Sequence, residues 1–200
     1  MSHPFDVVRQ FESDLCHYTD APFCITTTSC TTALLLACCY HQVTEVEIPR
    51  YTYVGVPQSI LNAGGKVKFR DENWTGIYQL SPYPIWDSAR FLSGEMYRSM
   101  PGQMVCLSFH WGKTLGVQQG GAILLDDPTA YRALKKLRFD GRTEGIAPKE
   151  DKFSRGFHAY MSPEVAAQGV LRLAMLPKVN MPMRWDDYPD LSQTNWNELT

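Results

Sequence analysis

Apolar residues recur along this chain in two rhythms, and the switches between them mark out its elements. Phe5, Val8, Phe11, Leu15 and Tyr18 fall at intervals of three and four, with Asp6, Arg9, Glu12 and Asp14 between them. That spacing predicts an amphipathic helix over residues 5–18. Ala21-Pro22 ends it, and Phe23-Cys24-Ile25-Thr26 reads as a short strand. Ser29 then suits the N-cap of a thoroughly apolar helix from about Thr31 to Tyr40. Glu45–Pro49 is a second strand, residues 54–63 a helix stopped by Gly64-Gly65, and Lys66–Phe69 a third, alternating strand. The order β-α-β-α-β predicts a parallel sheet with helical crossovers.

Past Asp71 the rhythm breaks in ENWTGIYQLSPYP, which holds two prolines, a glycine and several aromatics. An apolar strand resumes at Ile85 and closes on Asp87, and residues 91–103 read as loop. Met104–Leu107 and Ala122–Leu125 are apolar runs suited to buried strands, bracketing a loop that presents Lys113 five residues after Ser108. A helix is expected from Pro128 to about Phe139, and another from Pro163. Between them, residues 140–155 are charged and carry glycine, which predicts a mobile loop. Residues 177–200 form a short tail with three prolines and three acidic residues near Trp185.

Composition narrows the classes. Two hundred residues suit one domain with a small appendage, and 44% apolar with 20% charged residues is ordinary for a globular protein. A net charge of −2 gives no electrostatic case for nucleic acid or a membrane surface. No apolar run approaches the roughly 18 residues of a membrane span, and MSHPFDVVRQ lacks the basic-then-apolar pattern of a secretory signal. The six cysteines contain no C-x-x-C pair and most sit among apolar residues, so no metal site is expected and a reduced, cytoplasmic protein is the simplest reading.

The chemistry-bearing residues are ambiguous one by one. Ser29 at a strand–helix junction could merely cap a buried helix, or could open a helix N-terminus that binds phosphate. Lys113 could be a solvated loop lysine, Tyr53 a core aromatic, and Asp87 a turn cap. Ser108 and His110 lie only two apart near a strand end, a poor basis for a hydrolase.

Taken together, in order, they resemble something specific. Thr28-Ser29-Cys30-Thr31-Thr32-Ala33-Leu34 resembles S-G-T-x-A-L; Arg50-Tyr51-Thr52-Tyr53 resembles P-x-Y-T-F; Ile85-Trp86-Asp87-Ser88-Ala89-Arg90 resembles apolar-D-A-A-Q. Ser108-Phe109-His110-Trp111-Gly112-Lys113, followed by Gly120-Gly121 and a hydrophobic strand, resembles the cofactor-lysine segment, and Gly156–Ala167 resembles G-Y-N-Y-R-M-S-E-x-x-A-A. These are motifs of the DegT-type sugar aminotransferases, a family of fold-type I pyridoxal-phosphate enzymes. The resemblance covers roughly residues 5–176 with two deletions, and the departures are Cys30 for glycine, Arg90 for glutamine, His158 for asparagine and Tyr160 for arginine.

The resemblance implies an α/β fold: a reduced fold-type I large domain over residues 1–176, mostly parallel sheet with flanking helices, then the tail 177–200, without the family's C-terminal domain. It implies pyridoxal 5'-phosphate on Lys113, which would form the Schiff base and shuttle the proton, with Asp87 keeping the pyridine nitrogen protonated. Tyr53 would stack on the ring, Arg90 would lie near its oxygen, and Cys30, Thr31 and Ser108 would hold the phosphate together with His158 of a second subunit. A homodimer that moves an amino group onto a keto (nucleotide-)sugar or related small keto substrate is one reading. A degenerate cofactor-binding or interaction module without turnover is the other.

Overall fold

The computed structural model describes residues 4–199; residues 1–3 and 200, the ends of the two predicted segments, lie outside the described residues. Helix α1 (Asp6–Thr19) leads into β1 (Phe23–Thr27), α2 (Cys30–His41), β2 (Glu45–Pro49), α3 (Gly55–Asn62) and β3 (Lys66–Arg70). The two-residue strand β4 (Tyr78–Gln79) and then β5 (Ile85–Ser88), β6 (Met104–Ser108) and β7 (Gly121–Leu125) follow, with α4 (Pro128–Arg138) and α5 (Pro163–Met175) after them. The sequence rhythm placed these helices and most strands to within a residue or two. A 3-10 turn over Met96–Ser99 and the strand β4 both fall in stretches expected to be irregular.

The expectation of a mostly parallel sheet is corrected. The main sheet has the order β1-β7-β6-β5-β4, and only its β5–β6 pairing is parallel; β1–β7, β6–β7 and β4–β5 are antiparallel. Strands β2 and β3 pair in parallel as a two-stranded sheet, joined to the main one where Glu47 and Ser81 exchange both backbone hydrogen bonds in antiparallel fashion. Followed across these pairings, β1, β2, β3, β5 and β6 all run one way. Helical crossovers do impose that common direction. Sequence order could not reveal that the reversed strands β7 and β4 insert between parallel neighbours.

Each central strand is buried on both faces, and the period of two sorts its side chains. Ile25, Ile85, Cys106, Ile123 and Leu125 pack with α2, α3 and α4 in one core. Cys24, Val105, Leu107, Ala122 and Leu124 pack with Val8, Phe11 and Leu15 of α1 and with Ala166 and Leu173 of α5 in another. This is a three-layer α/β/α arrangement. Helix α2 lies in the crowded layer between the sheet, α3 and α4, which accounts for its apolar sequence.

Candidate functional site

The C-terminal ends of β1, β5 and β6 reach the same edge of the sheet because those strands share a direction, and a cleft opens there, where open α/β sheets bind ligands. Its cavity measures about 390 Å³ and is lined by Cys30, Thr31, Tyr53, Asp87, Arg90, Ser108 and Lys113. Those are seven of the eight residues singled out from sequence. His158 lies elsewhere: it is exposed and pairs through Nδ1 with Asp140, 3.0 Å away.

One rung of the sheet explains Asp87. Register pairs Tyr78 with Asp87, Asp87 with Cys106, Cys106 with Ile123, and Ile123 with Ile25. These residues share a face, so the carboxylate projects toward α2 among apolar neighbours. Its Oδ1 accepts the N–H of Ala89 at 2.8 Å and its Oδ2 accepts the Tyr78 hydroxyl at 2.7 Å. Burial pushes the Asp87 carboxyl above its ordinary range, against the pull of those two bonds and of the Lys113 and Arg90 charges. Tyr78 is itself hydrogen-bonded to Thr52.

The α2 N-terminus forms the opposite wall. Ser29, extended at φ −165°, accepts the Thr32 N–H on its Oγ at 3.1 Å, leaving Cys30 and Thr31 in the first turn, whose N–H groups no helix carbonyl can satisfy. Cys30 occupies a helical position with negative φ, so a side chain in place of glycine brings no backbone strain. Its thiol turns down beside Asp87 Oδ1 at 3.9 Å and the Cys106 carbonyl at 3.6 Å, and burial, then the Asp87 charge, push it up to a range where it stays protonated. Close approach is instead required of Gly121, where a Cβ would stand 2.5 Å from the Cys30 nitrogen.

Lys113 sits in a turn closed by its own N–H to the His110 carbonyl at 2.8 Å. Its Nζ donates to the Tyr188 hydroxyl at 3.3 Å. Half-exposed Tyr53 faces the same ring, with centroids 6.4 Å apart. Tyr188 and Asp187, which the sequence reading passed over, thus belong to the cleft wall. They come from residues 177–200, whose only hint was a run of aromatic and acidic residues. Trp185 stacks on Tyr51 at 4.7 Å, and Leu191 and Trp196 are buried, so this segment is packed against α3, β3 and the cleft mouth.

The model of the DegT/DnrJ/EryC1/StrS aminotransferase family matches residues 2–82 and 93–184. No curated protein sequence matches the chain. Among solved structures, the sugar aminotransferase CalS13 from Micromonospora echinospora superposes with a TM-score of 0.70 at 15% identity, over 84% of this chain and 60% of its own. A DegT DnrJ EryC1 StrS aminotransferase from Brucella abortus gives 0.69 at 17%, over 85% and 58%. NtdA from Bacillus subtilis, solved with bound cofactor PMP, gives 0.68 at 20%, over 88% and 49%. The chain therefore spans between half and three fifths of the length of these relatives. With most of its residues matched by the family model, the chain belongs to the DegT/DnrJ/EryC1/StrS aminotransferase family.

Proposed function

We propose that this chain binds pyridoxal 5'-phosphate in the cleft and transfers an amino group to a small keto substrate of the keto-(nucleotide-)sugar kind. One observation carries the reading: an amine (Lys113), a buried carboxylate (Asp87) and an open helix N-terminus (Cys30, Thr31) converge on one cavity of about 390 Å³. The donor set fits the cofactor. The first-turn N–H groups of Cys30 and Thr31, with the Ser108 hydroxyl, suit a phosphate. Tyr53 offers a half-exposed aromatic face, and Gly55 and Gly121 let backbone approach where a Cβ would fall within 2.6 Å of a neighbour. When bound, the cofactor supplies an electron-withdrawing ring beside the amino-bearing carbon.

The chain's own residues do the rest. Asp87 would hold a proton on the ring nitrogen; Oδ1 already accepts from the Ala89 N–H and the Cys30 thiol, whereas Oδ2 accepts only the Tyr78 hydroxyl and keeps a second lone pair for that contact. Lys113 attaches the cofactor and moves the proton at the substrate's amino-bearing carbon. Ser108 and the α2 N-terminus hold the phosphate and fix orientation. We further propose a homodimer in which His158 reaches the partner's phosphate, a division into a shortened large domain over residues 1–176 and a tail over 177–200, and a cytoplasmic setting, in keeping with six free cysteines. Among the described residues no helix is long and apolar enough to cross a membrane.

The second reading, a cofactor-binding module without turnover, is favoured by the Tyr188 hydroxyl on Lys113. Borohydride treatment of protein incubated with the cofactor should fix it on the Lys113 peptide. Label confined to scattered surface lysines removes both readings. Label on Lys113 without half-transamination by any amino donor, glutamate included, leaves the second.

A further inference from the structure

A cluster at the cleft mouth lies outside everything the family model matches: Arg90 falls in the unmatched residues 83–92, and Asp187 and Tyr188 lie beyond residue 184. The Arg90 side chain is only 11% exposed and lines the cleft beside Lys113. Its guanidinium lies over the Tyr188 ring, 4.3 Å from the centroid. Its Nη2 donates to both Asp187 oxygens, 2.6 Å from Oδ2, and Nη1 donates to the Arg184 carbonyl. Its Nε is buried without a partner.

Asp187 is the opposite case, 66% exposed, on a segment whose neighbours are held by backbone hydrogen bonds at Met183, by the stacking of Trp185 on Tyr51 and of Tyr188 on Trp74, and by the Arg50–Asp190 ion pair, while the Asp187 side chain itself pairs with Arg90. The cleft thus holds an almost buried, fork-shaped cation whose carboxylate is delivered by an exposed segment. A planar guanidinium binds any carboxylate two-pronged, so one from solution competes on equal chemical terms. Arg90 also holds the Asp187 carboxyl below its ordinary range, so the strap presents the anion at any pH where a small acid would be ionised.

We propose that Arg90, flanked by Tyr188 and Lys113, is a carboxylate subsite for the amino-acid or 2-oxo-acid co-substrate, and that residues 183–190 are a strap whose Asp187 fills it until the acid displaces it. The choice of acid rests on the aminotransferase reading; the anion site does not, because it needs no cofactor. The probe is glutarate, which cannot transaminate, titrated calorimetrically into cofactor-free protein with inorganic phosphate saturating the α2 N-terminus. Asp187→Asn, an exposed and shape-conserving change, should bind glutarate at least tenfold tighter than the wild type. Adding Arg90→Lys, which keeps the charge and loses the fork, should remove that gain. Equal affinity in wild type and Asp187→Asn overturns the proposal, as does a gain that survives Arg90→Lys or binding that saturating phosphate abolishes. Borohydride capture on the same Asp187→Asn protein separates the two readings. Glutarate behaving as stated with no label on Lys113 leaves the subsite and removes the aminotransferase; label without the glutarate effect does the reverse.

Discussion

Asp87 shares its rung with Cys106, Ile123 and Ile25, and a charge there is supported by the Ala89 N–H and the Tyr78 hydroxyl and by the Lys113 and Arg90 charges. Asp87→Asn keeps both contacts: the amide oxygen accepts from Ala89, and the Tyr78 hydroxyl turns to accept from the new NH₂. The variant should therefore fold with an unchanged or higher Tm at neutral pH. Amino transfer should drop on the order of a thousandfold, about 4 kcal/mol of barrier, once the ring-nitrogen proton loses its counter-charge. A fall in Tm with activity per folded molecule preserved would mark Asp87 as a turn cap only. Tyr78→Phe removes one of the bonds that favour the ionised form, so it should move the pH at which the bound cofactor's absorbance changes. An unmoved profile would cut the link between the hydroxyl and the site. The sequence announced Asp87 by placing it at the end of an apolar strand. It could not announce Tyr78, because β4 is only two residues long, between Gly76 and Pro82, and shows no period.

Two glycines set how closely elements approach. In β7, a Cβ on Gly121 would meet Ser29 and Cys30 backbone at 2.5 Å, so strand and helix must part if it is added. Gly121→Ala should cost roughly 1–3 kcal/mol of stability and weaken phosphate binding at α2, both measurable by urea unfolding with and without phosphate. Phosphate stabilising the variant as much as the wild type would detach the α2 N-terminus from phosphate binding. In α5, a Cβ on Gly169 would lie 2.5 Å from the buried Phe11 ring of α1. Alanine is the better helix former by about 1 kcal/mol, so the sign of Gly169→Ala decides whether interhelix packing or local propensity rules; packing should win, with a net loss. Helices were the most legible elements because their apolar stripes survive without knowledge of partners. Sheet order was not legible, since β1 and β7 are brought side by side by contacts across nearly a hundred residues.

At the scale of the molecule, a buried ionic network ties the layers together. Glu12 of α1 accepts the Thr26 N–H of β1 at 2.9 Å and pairs with Arg138 of α4, which also holds Glu144 at 2.8 Å. From sequence, Arg138 reads as an ordinary helix residue and Glu144 as part of a charged loop, because nothing local marks Glu12 and Arg138, 126 residues apart in the chain, as a pair. Burial alone would raise the Glu144 carboxyl, but Arg138 and Lys135 outweigh it and hold it below its ordinary 4.5. Its contribution to stability is thus complete above 4.5 and is lost as pH falls through the lower folded value. Asp87 has the opposite sign, being raised by burial above 3.8. The unfolded chain releases that proton first, so stability falls as pH rises from 3.8 to the folded value and stays reduced beyond it. The two slopes oppose each other on the acid side and can be separated by substitution. Calorimetric Tm measured from about pH 3 to about pH 7 should, in Glu144→Gln, be lower at neutrality and lose part of its decline toward acid. In Asp87→Asn the acid decline should remain, and stability on the neutral side should rise relative to the wild type. An acid decline as steep in Glu144→Gln as in the wild type would mean that the network carries no proton-linked stability.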